Sequence, residues 1–123
     1  INKIKKEKGV NVTVIASGER WSGINDEPRD LRPSIEDYLG AGAILQLLDG
    51  TKSPEAKVCI SAYENSKSEL KELLLDCSSG RELINMGFPE DVEFCSQINS
   101  FKEVPVLVKD KNGFAYFKDF NKD

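Results

Sequence analysis

The sequence predicts an α/β domain with a layered sheet and helices on both of its faces. Three observations predict it: an alternating, β-branched run near the start, helical repeats with capping signals in the middle, and two β-rich runs around an Asn-Gly dipeptide at the end. A chain of 123 residues is long enough to bury one hydrophobic core. We therefore expect a single domain over residues 1–123.

The first element is predicted to be a Lys-rich helix end, INKIKKEKG, which Gly9 closes. A basic arm is the alternative reading of those Lys residues. The run after it, VNVTVIA at residues 10–16, alternates like a strand. With Val12 and Val14 on one side and Thr13 and Ile15 on the other, we expect a central strand that is buried on both faces.

Helices are predicted next, at two capping signals. Ser34 followed by Asp37 resembles a capping box, and apolar residues then recur at helical spacing. Ser53 before Pro54 marks the start of a second helix, because Pro is favoured in a first turn. The segment after it, SKSELKELLLDC, predicts either a third helix or a helix that runs into a short buried strand.

The last third of the chain is predicted to contain two short helices and a hairpin. Ser79 and Glu82 have cap spacing, and Pro89 begins a helix with two acids in its first turn, where the helix dipole favours them. The β-rich runs that flank Asn112-Gly113 predict a hairpin, since that dipeptide suits its tight turn.

Composition excludes several classes of protein. The chain has no His, so imidazole catalysis and mixed Cys/His zinc sites are absent. No apolar run reaches the ~18 residues that a membrane helix needs, and a formal charge of −4 argues against a nucleic-acid surface. Cys59, Cys77 and Cys95 form no C-x-x-C pair, so we expect free thiols in a cytoplasmic protein.

A polar loop over residues 17–33 is the strongest candidate for binding. It follows the carboxyl end of the predicted strand, where open α/β sheets hold their ligands. It contains Arg20, Arg29 and Arg32, and a guanidinium fits phosphate, sulfonate or carboxylate in a bidentate way. The alternative is that these arginines only neutralise neighbouring acids on a solvated loop.

Carboxylates near this loop suggest a Mg²⁺ site, because Mg²⁺ takes oxygen ligands and bridges to phosphate. Glu19 at the strand end is predicted to converge with Glu36 and Asp37 in the first turn of the next helix. The alternative for the two helical acids is that they only stabilise the helix start.

Two glycines inside that helix, Gly40 and Gly42, cost helical stability and indicate close approach of a neighbour or a ligand. Further on, CSSGR at residues 77–81 has too few residues between Cys and Arg for a cysteine phosphatase loop. Ser79, Gly80 and Arg81 are then either a second anion cradle at a helix start or an ordinary cap.

Four motifs, in this order, carry a resemblance to a known family: GERW, LRPSIEDYLGAGAIL, SGRELINMGFPEDVEFCSQIN and VPVLV. They resemble the carboxyl-terminal half of the 2-phosphosulfolactate phosphatase (ComB) family, from about residue 9 to residue 108. The resemblance implies one part of a larger Mg²⁺-dependent hydrolase that converts 2-phospho-3-sulfolactate to sulfolactate and phosphate, a step towards coenzyme M. The family's amino-terminal half has no counterpart here.

Together with the loop chemistry, the resemblance implies a set of site residues facing one cleft. The catalytic residues are Glu19, Arg32 and Asp37; the substrate ligands are Arg20, Arg32, Ser79, Gly80 and Arg81; the Mg²⁺ ligands are Glu19, Glu36 and Asp37. The loop SGINDEPRDLRPS is longer than the usual form, so Arg29 is expected to matter little. The competing hypothesis is a non-catalytic anion-binding or interaction domain, and a homo-oligomer stays open.

Overall fold

The computed structural model describes residues 1–21 and 30–121, so the predicted loop residue Arg29 lies outside the described residues. Two short strands follow the first helix, a run of helices comes next, and two further strands come last among the described residues. In chain order they are α1 (Asn2–Lys8), β1 (Glu19–Arg20), β2 (Leu31–Arg32), α2 (Ile35–Gln46), α3 (Pro54–Ser66), a 3-10 turn (Lys67–Glu69), α4 (Leu70–Asp76), α5 (Ser78–Asn85), α6 (Pro89–Cys95), β3 (Pro105–Lys109) and β4 (Ala115–Asp119).

Helices α2 and α3 pack against each other at the centre of the molecule. Gly42 permits this, because a Cβ added there would lie only 2.4 Å from the carbonyl oxygen of Cys59. The Cys59 thiol in turn donates to the carbonyl oxygen of Tyr38, at 3.1 Å. Where the structure describes burial, the buried apolar residues come from α2, α3, α4 and α6: Leu39, Ala41, Cys59, Tyr63, Leu74 and Val92.

The start of α3 confirms its sequence signal, and the start of α2 differs in detail. Ser53 caps α3 by accepting from the backbone N–H of Ala56 at 3.2 Å, with Pro54 in the first turn. Ser34 is the N-cap residue of α2 but accepts no side-chain cap bond, and its hydroxyl donates to Glu36. The predicted Ser34–Asp37 capping box is therefore wrong.

Residues 67–76 after α3 form a 3-10 turn and α4, so the helical alternative for SKSELKELLLDC is the correct one. The predicted cap at Ser79 is displaced. Cys77 is the N-cap of α5, since its extended backbone precedes the helix and its Sγ accepts from the backbone N–H of Gly80 at 3.4 Å. Ser79 lies inside the first turn, where its hydroxyl points to tertiary partners.

The strands confirm a mixed α/β chain but not one layered sheet. Within the described residues, β1–β2 and β3–β4 form two separate antiparallel ribbons. The predicted hairpin is confirmed: Asp110 accepts from the backbone N–H groups of Asn112 and Phe114 at 2.8 Å, and Gly113 has a φ of 86°. That positive φ is readily adopted by Gly.

The predicted central strand at residues 10–16 is not formed. The segment runs without a turn or bend, but among the described residues it pairs with no strand. Val12 and Val14 are half-buried, whereas the side chain of Ile15 is 81% exposed. A strand requires a partner for its backbone groups, and sequence pattern alone does not supply one.

The three Cys residues are free, as predicted. Cys59 is buried, Cys77 is half-buried and Cys95 is exposed. Across residues 1–21 and 30–121, no helix is both long enough and apolar enough to cross a membrane.

Candidate functional site

Arg32 is the centre of the candidate site. It ends β2 directly before Pro33, whose ring favours an extended conformation in the preceding residue. Only 3% of Arg32 is exposed, although a buried charge is costly unless it is paired. Its Nη2 donates to Glu82 Oε2 at 2.6 Å and its Nη1 to Ser79 Oγ at 3.1 Å, and its guanidinium carbon lies 5.6 Å from the centre of the Trp21 ring.

One polar atom of Arg32 remains unused. Nε is buried and has no hydrogen-bond partner among the described residues. A buried donor without an acceptor costs free energy. The Arg32 guanidinium therefore has one donor without an acceptor, close to Ser79 and to the carboxylates of Glu82 and Glu36.

Glu36 lies beside this group, in the first turn of α2. Its Oε1 accepts from the hydroxyl of buried Ser34 at 2.5 Å, and its Oε2 lies 4.0 Å from Cys77 Sγ. Burial by itself raises the pKa of Glu36. Hydrogen bonds from Ser34, the Glu36 backbone and Ser79, with the charge of Arg32, outweigh burial and place the pKa below the ordinary 4.5. Glu36 is thus an ionised carboxylate at neutral pH.

This pKa shift predicts a pH dependence of stability. A carboxyl whose pKa is lower in the folded protein contributes stability that is present above its unfolded pKa and is lost as the pH falls through the folded value. We expect the free energy of unfolding to fall more steeply below pH 4.5 in the wild type than in Glu36→Gln. Urea titrations between pH 7 and 3 measure this. Equal slopes in the two proteins would contradict the hydrogen-bonded Glu36.

Three further residues predicted for the site, Glu19, Arg20 and Asp37, lie at different places around β1. Asp37 accepts from the backbone N–H of Gly18 at 2.8 Å and so fixes the chain that leads into β1. Glu19 is paired with Arg32 in the ribbon register, which places the two side chains on one face. Arg20 is exposed on the other face, opposite Leu31.

The three residues predicted for the site at the start of α5 have different contacts. Ser79 joins Arg32 to Glu36. Gly80 is buried, and a Cβ there would lie 1.8 Å from the carbonyl oxygen of Leu74, which explains the glycine. Arg81 makes a 2.6 Å ion pair with Asp76 instead, and both side chains are mostly exposed.

Sequence reasoning missed Glu82 as a site residue. The spacing from Ser79 to Glu82, interpreted as a cap, places both residues on one face of α5. That face meets Arg32, so the same spacing signals a shared partner. Glu82 is one helical turn from Ser79, and the two hold different nitrogens of one guanidinium.

The fit to a metal ion is partial. In the part of the chain that the structure describes, no three Asp, Glu or Cys side chains are grouped as a metal site. Glu36 supplies one ionised carboxylate, whereas Asp37 is engaged by Gly18. A cavity of about 240 Å³ lies beside Glu36 and is lined by Gly40 and Ala43 of the same helix face.

Comparison with known proteins identifies the family. The profile of the 2-phosphosulpholactate phosphatase family matches residues 1–110. The chain belongs to the 2-phosphosulfolactate phosphatase family. The resemblance carried by the four sequence motifs is therefore confirmed.

Three relatives of this family show how much of it the chain contains. A probable 2-phosphosulfolactate phosphatase of Thermotoga maritima is 38% identical over 93 residues, which are 72% of this chain and 38% of the relative. That of Pseudothermotoga lettingae is 30% identical over 102 residues, 82% of this chain and 41% of the relative. The 2-phosphosulfolactate phosphatase of Methanocaldococcus jannaschii is 34% identical over 85 residues, 69% and 37% respectively.

The chain spans about two fifths of the length of these phosphatase relatives. No solved structure matches it. The site around Arg32 therefore lies in a chain that corresponds to only part of the length of these relatives.

Proposed function

We propose that this chain forms part of a phosphatase that hydrolyses 2-phospho-3-sulfolactate to sulfolactate and phosphate. The observation that carries the proposal is the buried Arg32, held by Ser79 and Glu82 beside the ionised Glu36, in a chain whose relatives bear that name. A substrate with phosphate, carboxylate and sulfonate groups suits a guanidinium that has an unmet donor. The complete protein, with a layered α/β sheet, is the proposed active form.

Charge balance supports a cation in the same proposal. Among the described residues, the cluster holds one positive group, Arg32, beside two carboxylates, Glu36 and Glu82, so a cation would balance its charge before an anionic substrate arrives. Mg²⁺ commonly binds one or two protein carboxylates together with waters and substrate phosphate. We assign Glu36 as the carboxylate from this helix, with Glu19 and Asp37 as the further candidates. Bound Mg²⁺ would supply polarisation of the phosphoryl group and orientation of water.

The chain's own residues perform binding and positioning in this proposal. Arg32 Nε, which is buried in this chain, would reach a substrate oxygen when the groups that cover it move in the complete protein, while Glu82 and Ser79 fix the orientation of the guanidinium. Preorganised donors of this kind stabilise charge that develops in the transition state. Asp37 holds Gly18 and thereby the strand that carries Glu19. Arg20 and Arg81 reach the substrate only if the complete protein reorients them.

Phosphate release from 2-phosphosulfolactate by the complete protein tests this function. We expect turnover that requires Mg²⁺ and stops with a chelator. A complete protein that folds but releases no phosphate, with or without Mg²⁺, contradicts the proposal. Coenzyme M biosynthesis and a cytoplasmic location belong to the same proposal.

The second candidate function is a non-catalytic anion-binding domain. It is favoured for the chain by itself, because the chain covers only about two fifths of the length of its phosphatase relatives. Calorimetric titration with phosphate and with sulfate separates the two functions. Binding without turnover, in the complete protein as well as in this chain, would favour the anion-binding domain.

A further inference from the structure

Residues 10–16 form an unusual surface, because their sequence is that of a strand and their backbone has no strand partner. The segment runs straight between α1 and β1, and among the described residues no hydrogen bond joins its backbone to another segment. Val12 and Val14 are half-buried while Asn11, Thr13 and Ile15 are exposed, which is the period of two of a strand. The backbone groups of a strand are thus present and open on both edges.

These edges carry none of the usual protection. Natural sheet edges are blunted by charged side chains, Pro or bulges, which prevent pairing with another strand. Residues 10–16 contain no charged residue and no Pro. A segment of this composition favours the addition of a strand.

A cavity lies between this segment and the helices. It has a volume of about 640 Å³ and is lined on one side by Val12 and Val14 and on the other by Tyr38, Ala41 and Leu45 of α2. A strand laid along residues 10–16 would direct alternate side chains towards α2. The cavity has room for several aliphatic side chains there.

We infer that residues 10–16 accept a β-strand with alternating apolar residues, supplied by the part of the relatives' length that this chain does not cover. The chain spans about two fifths of those relatives, so a large part of each relative remains to pack against it. Val12, Val14, Ala41 and Leu45 give the groove between residues 10–16 and α2 an apolar face, polar residues such as Asp49, Lys52 and Glu55 line its other part, and the segment offers backbone hydrogen bonds to such a strand. A second copy of this chain is the alternative occupant. The inference does not depend on which ester the family hydrolyses.

Amide hydrogen exchange tests the inference in two preparations. One is a chimaera in which this chain replaces the matched region of the Thermotoga maritima relative; the other is this chain mixed with the unmatched part of that relative. Alternate amides of a strand point to the same edge, so one added strand should protect either 11, 13 and 15 or 12, 14 and 16. We expect exchange at one such set to slow by about 100-fold or more relative to the chain alone.

Substitution at Thr13 supplies a matched control. Thr13→Pro removes one donor of the odd-numbered edge, whereas Thr13→Ala keeps it. If residues 11, 13 and 15 are the protected set, Thr13→Pro loses the protection and Thr13→Ala keeps it. If the even set is protected, Val12→Pro and Val12→Ala replace this pair.

Two results would overturn the inference. The first is fast exchange at residues 11–16 in both preparations. The second is protection in the chain alone that grows with its concentration and accompanies a dimer mass, which assigns the groove to a second copy. Phosphatase activity is measured separately, so an inactive but protected chimaera keeps this inference and counts against the proposed function.

Discussion

Gly42→Ala is expected to destabilise the chain by about 2 kcal/mol or more, because overpacking at a tight helix contact forces backbone shifts. The added Cβ would lie 2.4 Å from the carbonyl oxygen of Cys59 and 2.8 Å from the Cβ of Tyr63. Neither atom is the far end of a flexible side chain. Helices α2 and α3 would have to move apart at the centre of the core.

Gly40→Ala is the matched control in the same helix. A Cβ at Gly40 meets nothing within 4 Å, so the substitution should stabilise α2 by about 0.5–1 kcal/mol through its helix propensity alone. Urea unfolding of the two variants and the wild type measures both changes. Destabilisation of similar size at the two positions would contradict the packing of α2 on α3.

Arg32→Ala is expected to lower kcat/KM of the complete phosphatase by about tenfold or more, equivalent to about 1.4 kcal/mol of transition-state stabilisation. The substitution removes the donor offered to the substrate and leaves Glu82 without its 2.6 Å partner. Arg32→Lys keeps a charge but loses the planar fork and Nε. Compared with Arg32→Ala, we therefore expect Arg32→Lys to restore the free energy of unfolding more fully than it restores kcat/KM.

Arg81→Ala is the control for the loss of an arginine. Its pair with Asp76 is largely exposed, and such pairs contribute little to stability. We expect kcat/KM and the free energy of unfolding to remain near wild type. Kinetics of Arg32→Ala as good as those of Arg81→Ala would remove Arg32 from the site.

Local signals predicted the helices and the hairpin. Ser53-Pro54 and Asn112-Gly113 act through hydrogen bonds and dihedral preferences within a few residues, so their outcome needs no tertiary contact. The strand at residues 10–16 failed for the opposite reason. Its pattern was strand-like, but strand formation depends on a partner that pairs with its backbone.

The candidate site was predictable only in part. The sequence identified Arg32, Glu36 and Ser79, and the structure brings these three together. It did not identify Glu82, because Arg32 and Glu82 are 50 residues apart and only the packing of α5 joins them. Likewise the two glycines of α2 look alike in sequence, and only the position of α3 makes Gly42 the close contact.

We propose that Arg32 Nε, which has no hydrogen-bond partner among the described residues, receives an anion in the complete protein. Phosphate titration of the complete phosphatase, followed by the ¹⁵N and ¹H signals of the arginine Nε–H groups, provides the test. We expect the Arg32 Nε–H signal to shift saturably while that of Arg81 stays near its starting position. A saturable shift at Arg81 with none at Arg32, or no saturable shift at any arginine, would contradict it.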